Sequence, residues 1–247
     1  CFEHAAAALD LADRLQTPVF VMTDLDIGMN QRLCQPFAWD DQRDYDRGKV
    51  MSAEELEAGK DFGRYKDVDG DGIPWRTLPG THPSKGAFFT RGTTRNPYAQ
   101  YSERGPDYIY NMERLLKKFK TAATLVPQPV LRPASQPTRF GVIYFGSTSP
   151  AMREALDVLE ADDIHINALR LCAFPFPQSV PDFIAAHDKV FVVEQNRDAQ
   201  MHSLLVNELD IDPARLVRVL HYDGTPITAR FIASAIRKSR VQPKELA

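Results

Sequence analysis

Hydrophobic positions divide this chain into three stretches of different rhythm. In the first, Phe2, Ala5, Ala8, Leu9, Ala12 and Leu15 recur at three- and four-residue steps, the spacing of one apolar helix face. Pro18 stops that helix, and Val19, Phe20, Val21 and Met22 follow as an apolar run suited to a strand buried on both faces. Such a strand needs neighbours, and no strand precedes it. Two readings account for this. Residues 1–30 are the tail of a domain whose larger part is missing, or the helix and strand complete a sheet formed downstream.

The second stretch, residues 31–135, is dense in Gly, Pro, Asp and Arg and poor in long periodic runs. Ser52 followed by Glu55 is a capping-box pattern and predicts a short helix through Glu57. A longer helix is expected from about Asp107 to Ala122, with Ile109, Met112, Leu115, Leu116 and Phe119 on one face. Lys117, Lys118 and Lys120 lie near its C-terminal end, where the helix dipole favours cations. Residues 60–104 between the two helices read as a long loop, and loops of that length in compact proteins are usually functional or linker-like. Prolines 127, 129, 133 and 137 mark an extended spacer and a domain boundary.

The third stretch alternates. Strands are predicted at Phe140–Phe145, Ile164–Leu171, Val190–Glu194 and Leu216–Leu220, and helices at about Pro150–Glu160, Val180–Ala186, Ala199–Leu209 and Thr228–Lys238. Strand–helix alternation with short, right-handed connections makes an open α/β fold, a mostly parallel sheet with helices on both faces.

Composition narrows the function classes. With 30 Lys+Arg against 33 Asp+Glu, a net charge of −3 excludes a nucleic-acid face driven by bulk charge. No run approaches the roughly 20 apolar residues that span a bilayer. Cys1, Cys34 and Cys172 lie far apart without C-x-x-C spacing, which argues against a disulfide scaffold or a metal–thiolate site and fits a cytoplasmic protein.

Chemistry-bearing motifs are few. In an open parallel sheet, contacts gather at the carboxyl ends of the strands. One such end is Gly146-Ser147-Thr148-Ser149-Pro150, whose hydroxyls and N–H groups suit an anion; the structural alternative is Ser149 as N-cap with Pro150 in the first helical position. The other holds Glu194, Gln195 and Asn196, a polar trio that needs hydrogen-bond partners in a crevice or on a neighbouring chain, or serves turn chemistry. Neither G-x-G-x-x-G nor a P-loop occurs. Asp67, Asp69, Asp71 and Gly72 match the first half of an EF-hand loop, but Leu78 replaces the bidentate Glu at its twelfth position, which favours an Asx-stabilised turn. Arg76, His82, Lys85, Arg91, Arg95 and Arg104 share one Gly-bearing loop, a pattern that suits carboxylate or phosphate recognition or pairing with a partner subunit. Lone histidines such as His165 and His187 read as structural.

Several segments in order (TPVFVMTDLDIG, DGDGIPWRTLPGTHPSKGAFFTRGT, YFGSTSPAMREALDVL, FPFP and VVEQNRDAQ) resemble the C-terminal part of the α subunit of thiamine-diphosphate-dependent 2-oxoacid:ferredoxin oxidoreductases, the 2-oxoglutarate type in particular. The resemblance implies three parts: residues 1–30, the end of a pyrimidine-binding α/β domain; 31–137, an irregular connecting segment; and 138–247, a transketolase C-terminal-like domain. It implies oxidative decarboxylation of a 2-oxoacid to acyl-CoA and CO₂, with ferredoxin as electron acceptor and the cofactor as electron sink. Thiamine diphosphate with Mg would be shared with a β subunit that carries the 4Fe-4S cluster, and the fragment alone would be inactive. Substrate-cleft candidates are then Arg76, His82, Lys85, Arg91, Thr93 and Arg95; interface or crevice candidates are Ser147, Thr148, Glu194, Gln195 and Asn196. Where relatives often read Arg-Gly-Thr-Gly-His, this chain has Arg91-Gly92-Thr93-Thr94-Arg95. Alternative readings are a non-catalytic anion- or partner-binding α/β module, or a component of another transketolase-like thiamine enzyme.

Overall fold

The computed structural model describes residues 1–31 and 33–241. In chain order the elements are α1 (Phe2–Leu15), α2 (Leu25–Gly28), α3 (Ala53–Glu57), α4 (Gly105–Leu125), β1 (Val130–Arg132), β2 (Phe140–Phe145), α5 (Ser149–Ala161), β3 (Asn167–Leu171), α6 (Ser179–Ala185), β4 (Lys189–Glu194), α7 (Gln200–Leu209), β5 (Leu216–Leu220) and α8 (Ala229–Val241). Among the described residues no helix is long and apolar enough to cross a membrane. The chain divides into two compact units, residues 1–22 with 33–126 and residues 23–32 with 127–247.

The first unit has little apolar core. Leu11 and Leu15 of α1, Ile73 and Ala122 of α4 form one small cluster, against which Val19 and Leu125 pack. The expected strand at Val19–Met22 does not form: among the described residues nothing pairs with it, and Phe20 and Met22 are exposed. An extended run acquires strand structure only when neighbours take its backbone hydrogen bonds, and here there are none. The short helix α3 forms as predicted. Ser52 Oγ accepts from the Glu55 N–H at 3.2 Å while Glu55 Oε2 accepts from the Ser52 N–H at 2.9 Å, the reciprocal capping box.

Helix α4 is inverted relative to its pattern. Ile109, Met112, Leu116 and Phe119 lie exposed, whereas Asn111, Arg114 and Lys118 are buried together with Ala122 and Ala123. The cause is the long loop beside it, whose backbone carbonyls must find donors. Asn111 Nδ2 donates to the Arg95 carbonyl at 2.6 Å, Arg114 Nη1 to Gly72 at 3.0 Å, and Thr121 Oγ1 to Asp71 at 2.7 Å. Gly72 permits this approach. Its φ is +79°, and a Cβ there would stand 2.3 Å from the Lys118 amide nitrogen and 2.5 Å from the Arg114 carbonyl oxygen. Lys118 is therefore a buried side chain and not a cation set at the helix end.

The second unit is an α/β fold with a five-stranded, mostly parallel sheet. Strand order is β1-β3-β2-β4-β5, with β2, β3, β4 and β5 parallel and β1 antiparallel at one edge. β1 arises within the proline-rich stretch expected to be a spacer. An edge strand needs only one partner, and β1 finds it in β3 through Val130, Leu131 and Arg132. Two apolar layers cover the sheet. Val142, Tyr144 and Phe191 meet Met152, Leu156 and Leu159 of α5 and Ile232 and Ile236 of α8 on one face. Ile143, Val190 and Val192 meet Val180, Phe183 and Ile184 of α6 and Leu205 of α7 on the other. Burying such a side chain contributes roughly 1.5–3 kcal/mol relative to exposure, so these layers dominate the unit's stability. His187 is structural, as expected: Nδ1 lies 2.6 Å from the Phe183 carbonyl and Nε2 2.9 Å from Asn167 Nδ2.

Candidate functional site

In the second unit the chain reverses direction across the sheet between β2 and β4, and the crevice at their carboxyl ends is where ligands of open α/β sheets bind. Three of the five residues singled out there, Ser147, Thr148 and Gln195, come together. Gln195 Nε2 donates to Ser147 Oγ at 3.0 Å and to Thr148 Oγ1 at 3.2 Å, and its Oε1 accepts from the Ile227 N–H at 3.4 Å. Ser147 in turn donates to the carboxylate of Asp24, which also caps α2 by accepting from the Ile27 N–H at 2.9 Å. The hydroxyls that suited an anion thus face a carboxylate and a primary amide. The capping expectation also changes: Gly146–Thr148 is a 3-10 turn, Thr148 takes the N-cap position without a side-chain bond to the helix N–H groups, and Ser149 is the first residue of α5.

Glu194 has another task. Fully buried, it accepts from the Met201 N–H at 2.8 Å, the His202 N–H at 3.1 Å and Asn196 Nδ2 at 2.7 Å. A carboxylate at the unpaired N–H groups of a helix start is favoured by hydrogen bonding and by the helix dipole together. Glu194 and Asn196 therefore anchor α7, and Gln195 closes the crevice.

In the first unit the loop candidates fall into separate places. Arg76 bridges Asp13 at 3.1 Å and the Arg47 carbonyl at 3.0 Å. His82 and Lys85 converge on Glu57: Lys85 Nζ lies 2.8 Å from Glu57 Oε2, His82 Nε2 bonds the other oxygen, and His82 Nδ1 accepts from the Lys85 N–H at 2.8 Å. Lys85 and then His82 hold the Glu57 carboxyl below its ordinary pKa. Arg91 and Thr93 are exposed. Arg95 turns inward, donating to Tyr65 Oη at 2.9 Å and to the Gly92 carbonyl at 2.9 Å.

The Asp-rich turn does not present an open cation cage. Carboxylate oxygens of Asp67, Asp69 and Asp71 lie within 4.8 Å of one another, but Lys49 Nζ stands among them, 2.6 Å from Asp69 and 2.8 Å from Asp71. It also donates to the Ile73 carbonyl at 2.9 Å. Burial opposes the charge of Lys49, yet the two carboxylates prevail and raise its pKa.

A cationic cluster that the sequence reading missed surrounds Tyr65. The guanidinium carbons of Arg95, Arg64 and Arg114 lie 5.0, 5.4 and 5.7 Å from its ring centre. Lys118 lies one helical turn beyond Arg114, donating to Thr17 Oγ1 at 2.8 Å. Burial and then the charges of Arg114 and Arg64 push the Lys118 pKa down to about 8. Burial also lowers the pKa of Arg64 and of Arg114, and each feels a further guanidinium. The available signal was the four-residue spacing of Arg114 and Lys118, which places both on one helix face; the apolar stripe on the opposite face masked it.

No protein-family model and no curated protein matches this chain. Its fold is shared with solved α/β enzymes. At 20% identity and a TM-score of 0.70 it is similar to 2-oxoglutarate:ferredoxin oxidoreductase from Magnetococcus marinus, solved with 2-oxoglutarate, coenzyme A and succinyl-CoA bound. That likeness covers 93% of this chain and 38% of the other, so the chain spans well under half of that enzyme's length. Slighter likenesses, which carry no argument, are to two further chains. One is the alpha chain of a probable 2-oxoacid ferredoxin oxidoreductase from Thermoplasma acidophilum (23% identity, TM-score 0.32, 47% of this chain, 98% of that one). The other is a split-gene transketolase (18% identity, TM-score 0.39, 47% and 42%).

Proposed function

We propose that this chain is part of the α subunit of a 2-oxoacid:ferredoxin oxidoreductase, and that its substrate is 2-oxoglutarate. The observation that carries the reading is the fold likeness over 93% of the chain, which takes in the irregular first unit as well as the common α/β sheet. A likeness confined to the sheet would have little weight, because that architecture serves many functions. The ordered sequence segments quoted above support the same reading. The proposed reaction converts a 2-oxoacid and coenzyme A to acyl-CoA and CO₂, and its electrons leave for ferredoxin.

Thiamine diphosphate supplies the electron sink of that chemistry when bound, but the described residues do not fit it. Their one acidic triad is bridged by Lys49, and the crevice hydroxyls of Ser147 and Thr148 are already engaged by Gln195. The family resemblance implies that the cofactor and its Mg, and a 4Fe-4S cluster, are held by other parts of the enzyme and by a β subunit. Of the substrate-cleft candidates, Arg91 and Thr93 are exposed and open to a substrate, whereas Arg76, His82 and Lys85 are held on carboxylates and Arg95 on Tyr65 and the Gly92 carbonyl, so their role would be to fix the loop that carries Arg91 and Thr93. The network of Ser147, Thr148, Glu194, Gln195 and Asn196 keeps the second unit rigid for docking against other chains. Because Asp24 already occupies the hydroxyl end of the crevice, an anion-binding module built on Ser147 and Thr148 is disfavoured.

The test is to express the complete gene product with its candidate β subunit and to assay dye reduction with thiamine diphosphate, coenzyme A and a panel of 2-oxoacids. Co-purification and 2-oxoglutarate-dependent reduction of a viologen are expected. Absence of reduction with every 2-oxoacid would refute the assignment.

A further inference from the structure

We infer that Arg64, Arg95, Arg114 and Lys118 form a binding site for an external oxyanion, a carboxylate or a phosphate. The inference stands whether or not the chain serves a ferredoxin-linked enzyme, because it rests on charge and hydrogen-bond valence in the first unit alone.

Apart from the exposed Arg91, Arg104 and Lys120, other cations of this unit have carboxylate partners. Lys49 lies on Asp69 and Asp71, Arg76 and Arg47 on Asp13, Lys60 on Glu55, Lys66 on Asp61 and Lys85 on Glu57. The four residues of the cluster differ. Among the described residues they donate only to neutral oxygens: Arg95 to Tyr65 Oη and the Gly92 carbonyl, Arg114 to the Gly72 carbonyl, and Lys118 to Thr17 Oγ1 and the Gln16 carbonyl. Arg64 meets only aromatic faces, its guanidinium carbon 5.4 Å from the Tyr65 ring centre and 5.5 Å from that of Phe88. Asp67, the carboxylate whose charge Arg114 feels, faces Lys117 at 3.7 Å.

Burial makes that arrangement costly. Arg114 is 7% exposed and Lys118 6% exposed, and buried charges are ordinarily paired because desolvation costs several kcal/mol per ion. Cation–π contacts with one tyrosine offset only part of that cost. Hydrogen-bond valence points the same way. Arg114 Nε is buried with no acceptor, and the whole Arg64 fork is free of oxygen partners among the described residues. Two guanidinium forks and an ammonium with unused donors match the lone pairs of a carboxylate or phosphate, which such forks bind in pairs. Arg64 and Arg95 are only partly buried, so the cluster has a solvent-facing side.

The experiment is calorimetric titration of the full chain with sodium phosphate and, separately, sodium acetate, against sodium chloride at equal ionic strength. One saturable site is expected for phosphate or acetate and none for chloride; the ratio of the two affinities decides between the oxyanion classes. Arg64→Gln, at a half-exposed position, should weaken binding at least about tenfold, a change of ~1.4 kcal/mol. Arg153→Gln, an exposed arginine of the second unit, should leave it unchanged. If Arg64→Gln proves unfolded by circular dichroism, Arg95→Gln replaces it under the same criterion. The inference is overturned if neither oxyanion binds the unaltered chain beyond chloride, which would assign the cluster to a carboxylate of another protein chain. It is equally overturned if the folded variant binds as well as the unaltered chain. Since no turnover is measured, failure here leaves the redox assay untouched, and the reverse holds too.

Discussion

Replacing Lys118 by Met should stabilise the chain at neutral pH in buffer without oxyanions. Met keeps the length and apolar stem of the lysine while removing its charge. That charge is unwelcome: burial, Arg114 and Arg64 bring the Lys118 pKa from 10.5 to about 8. At ~1.4 kcal/mol per unit the depression sets a ceiling of about 3 kcal/mol on the cost of keeping Lys118 protonated. Losing the 2.8 Å bond to Thr17 Oγ1 subtracts about 1–1.5 kcal/mol, so the expected net gain at pH 7 is about 1–2 kcal/mol. The pH profile carries the sign. An unfolded lysine takes up its proton near 10.5, whereas the folded one holds it only below about 8. Between those values the unfolded state binds more protons, so stability of the unaltered chain rises with pH from 8 to 10.5 and is flat below 8 as far as this group is concerned. Urea unfolding of both chains across pH 7 to 10.5 isolates the contribution, because tyrosines and cysteines titrate alike in each. The variant should be more stable at pH 7, and its advantage should vanish or reverse by pH 10.5. A variant less stable by more than about 1 kcal/mol at pH 7, with a difference independent of pH, would show that Lys118 is a satisfied structural group and refute the reasoning.

Two further outcomes follow from single contacts. Gly72→Ala puts a methyl group 2.3 Å from a backbone nitrogen at a φ of +79°, so a loss of about 2–4 kcal/mol is expected in chemical denaturation, with increased proteolysis of the loop at residues 60–104. Glu194→Gln keeps the shape but removes the negative charge from the start of α7 and turns one of three acceptor contacts into a donor. A loss of about 1–3 kcal/mol is expected, with amide exchange at Met201 and His202 accelerated; unchanged exchange there would refute the anchoring role.

The two units differ in how much of their structure could be read in advance, and the reason is what stabilises each. In the second unit apolar burial decides, and strands such as Phe140–Phe145 and Leu216–Leu220 lie where hydrophobicity and turn signals put them. Polar signals were legible where partners are local or sit at the ends of adjacent parallel strands: Ser52 and Glu55 satisfy each other three residues apart, and Gln195 after β4 meets Ser147 and Thr148 after β2. In the first unit nonlocal polar satisfaction decides. A reading by hydrophobic face puts Ile109, Met112 and Phe119 inward, yet the carbonyls of Asp71, Gly72 and Arg95 draw Thr121, Arg114 and Asn111 inward instead. An unsatisfied buried backbone carbonyl costs as much as a lost hydrogen bond, comparable with exposing part of an apolar side chain, so a loop with many carbonyls and few apolar residues can turn a helix over. That inversion brings Arg114 and Lys118 beneath Arg64 and Arg95 with charge left over. The positive cluster is thus a consequence of how the loop closes its hydrogen bonds, and what singles it out in this unit is that Arg114 and Lys118 carry that unpaired charge while buried.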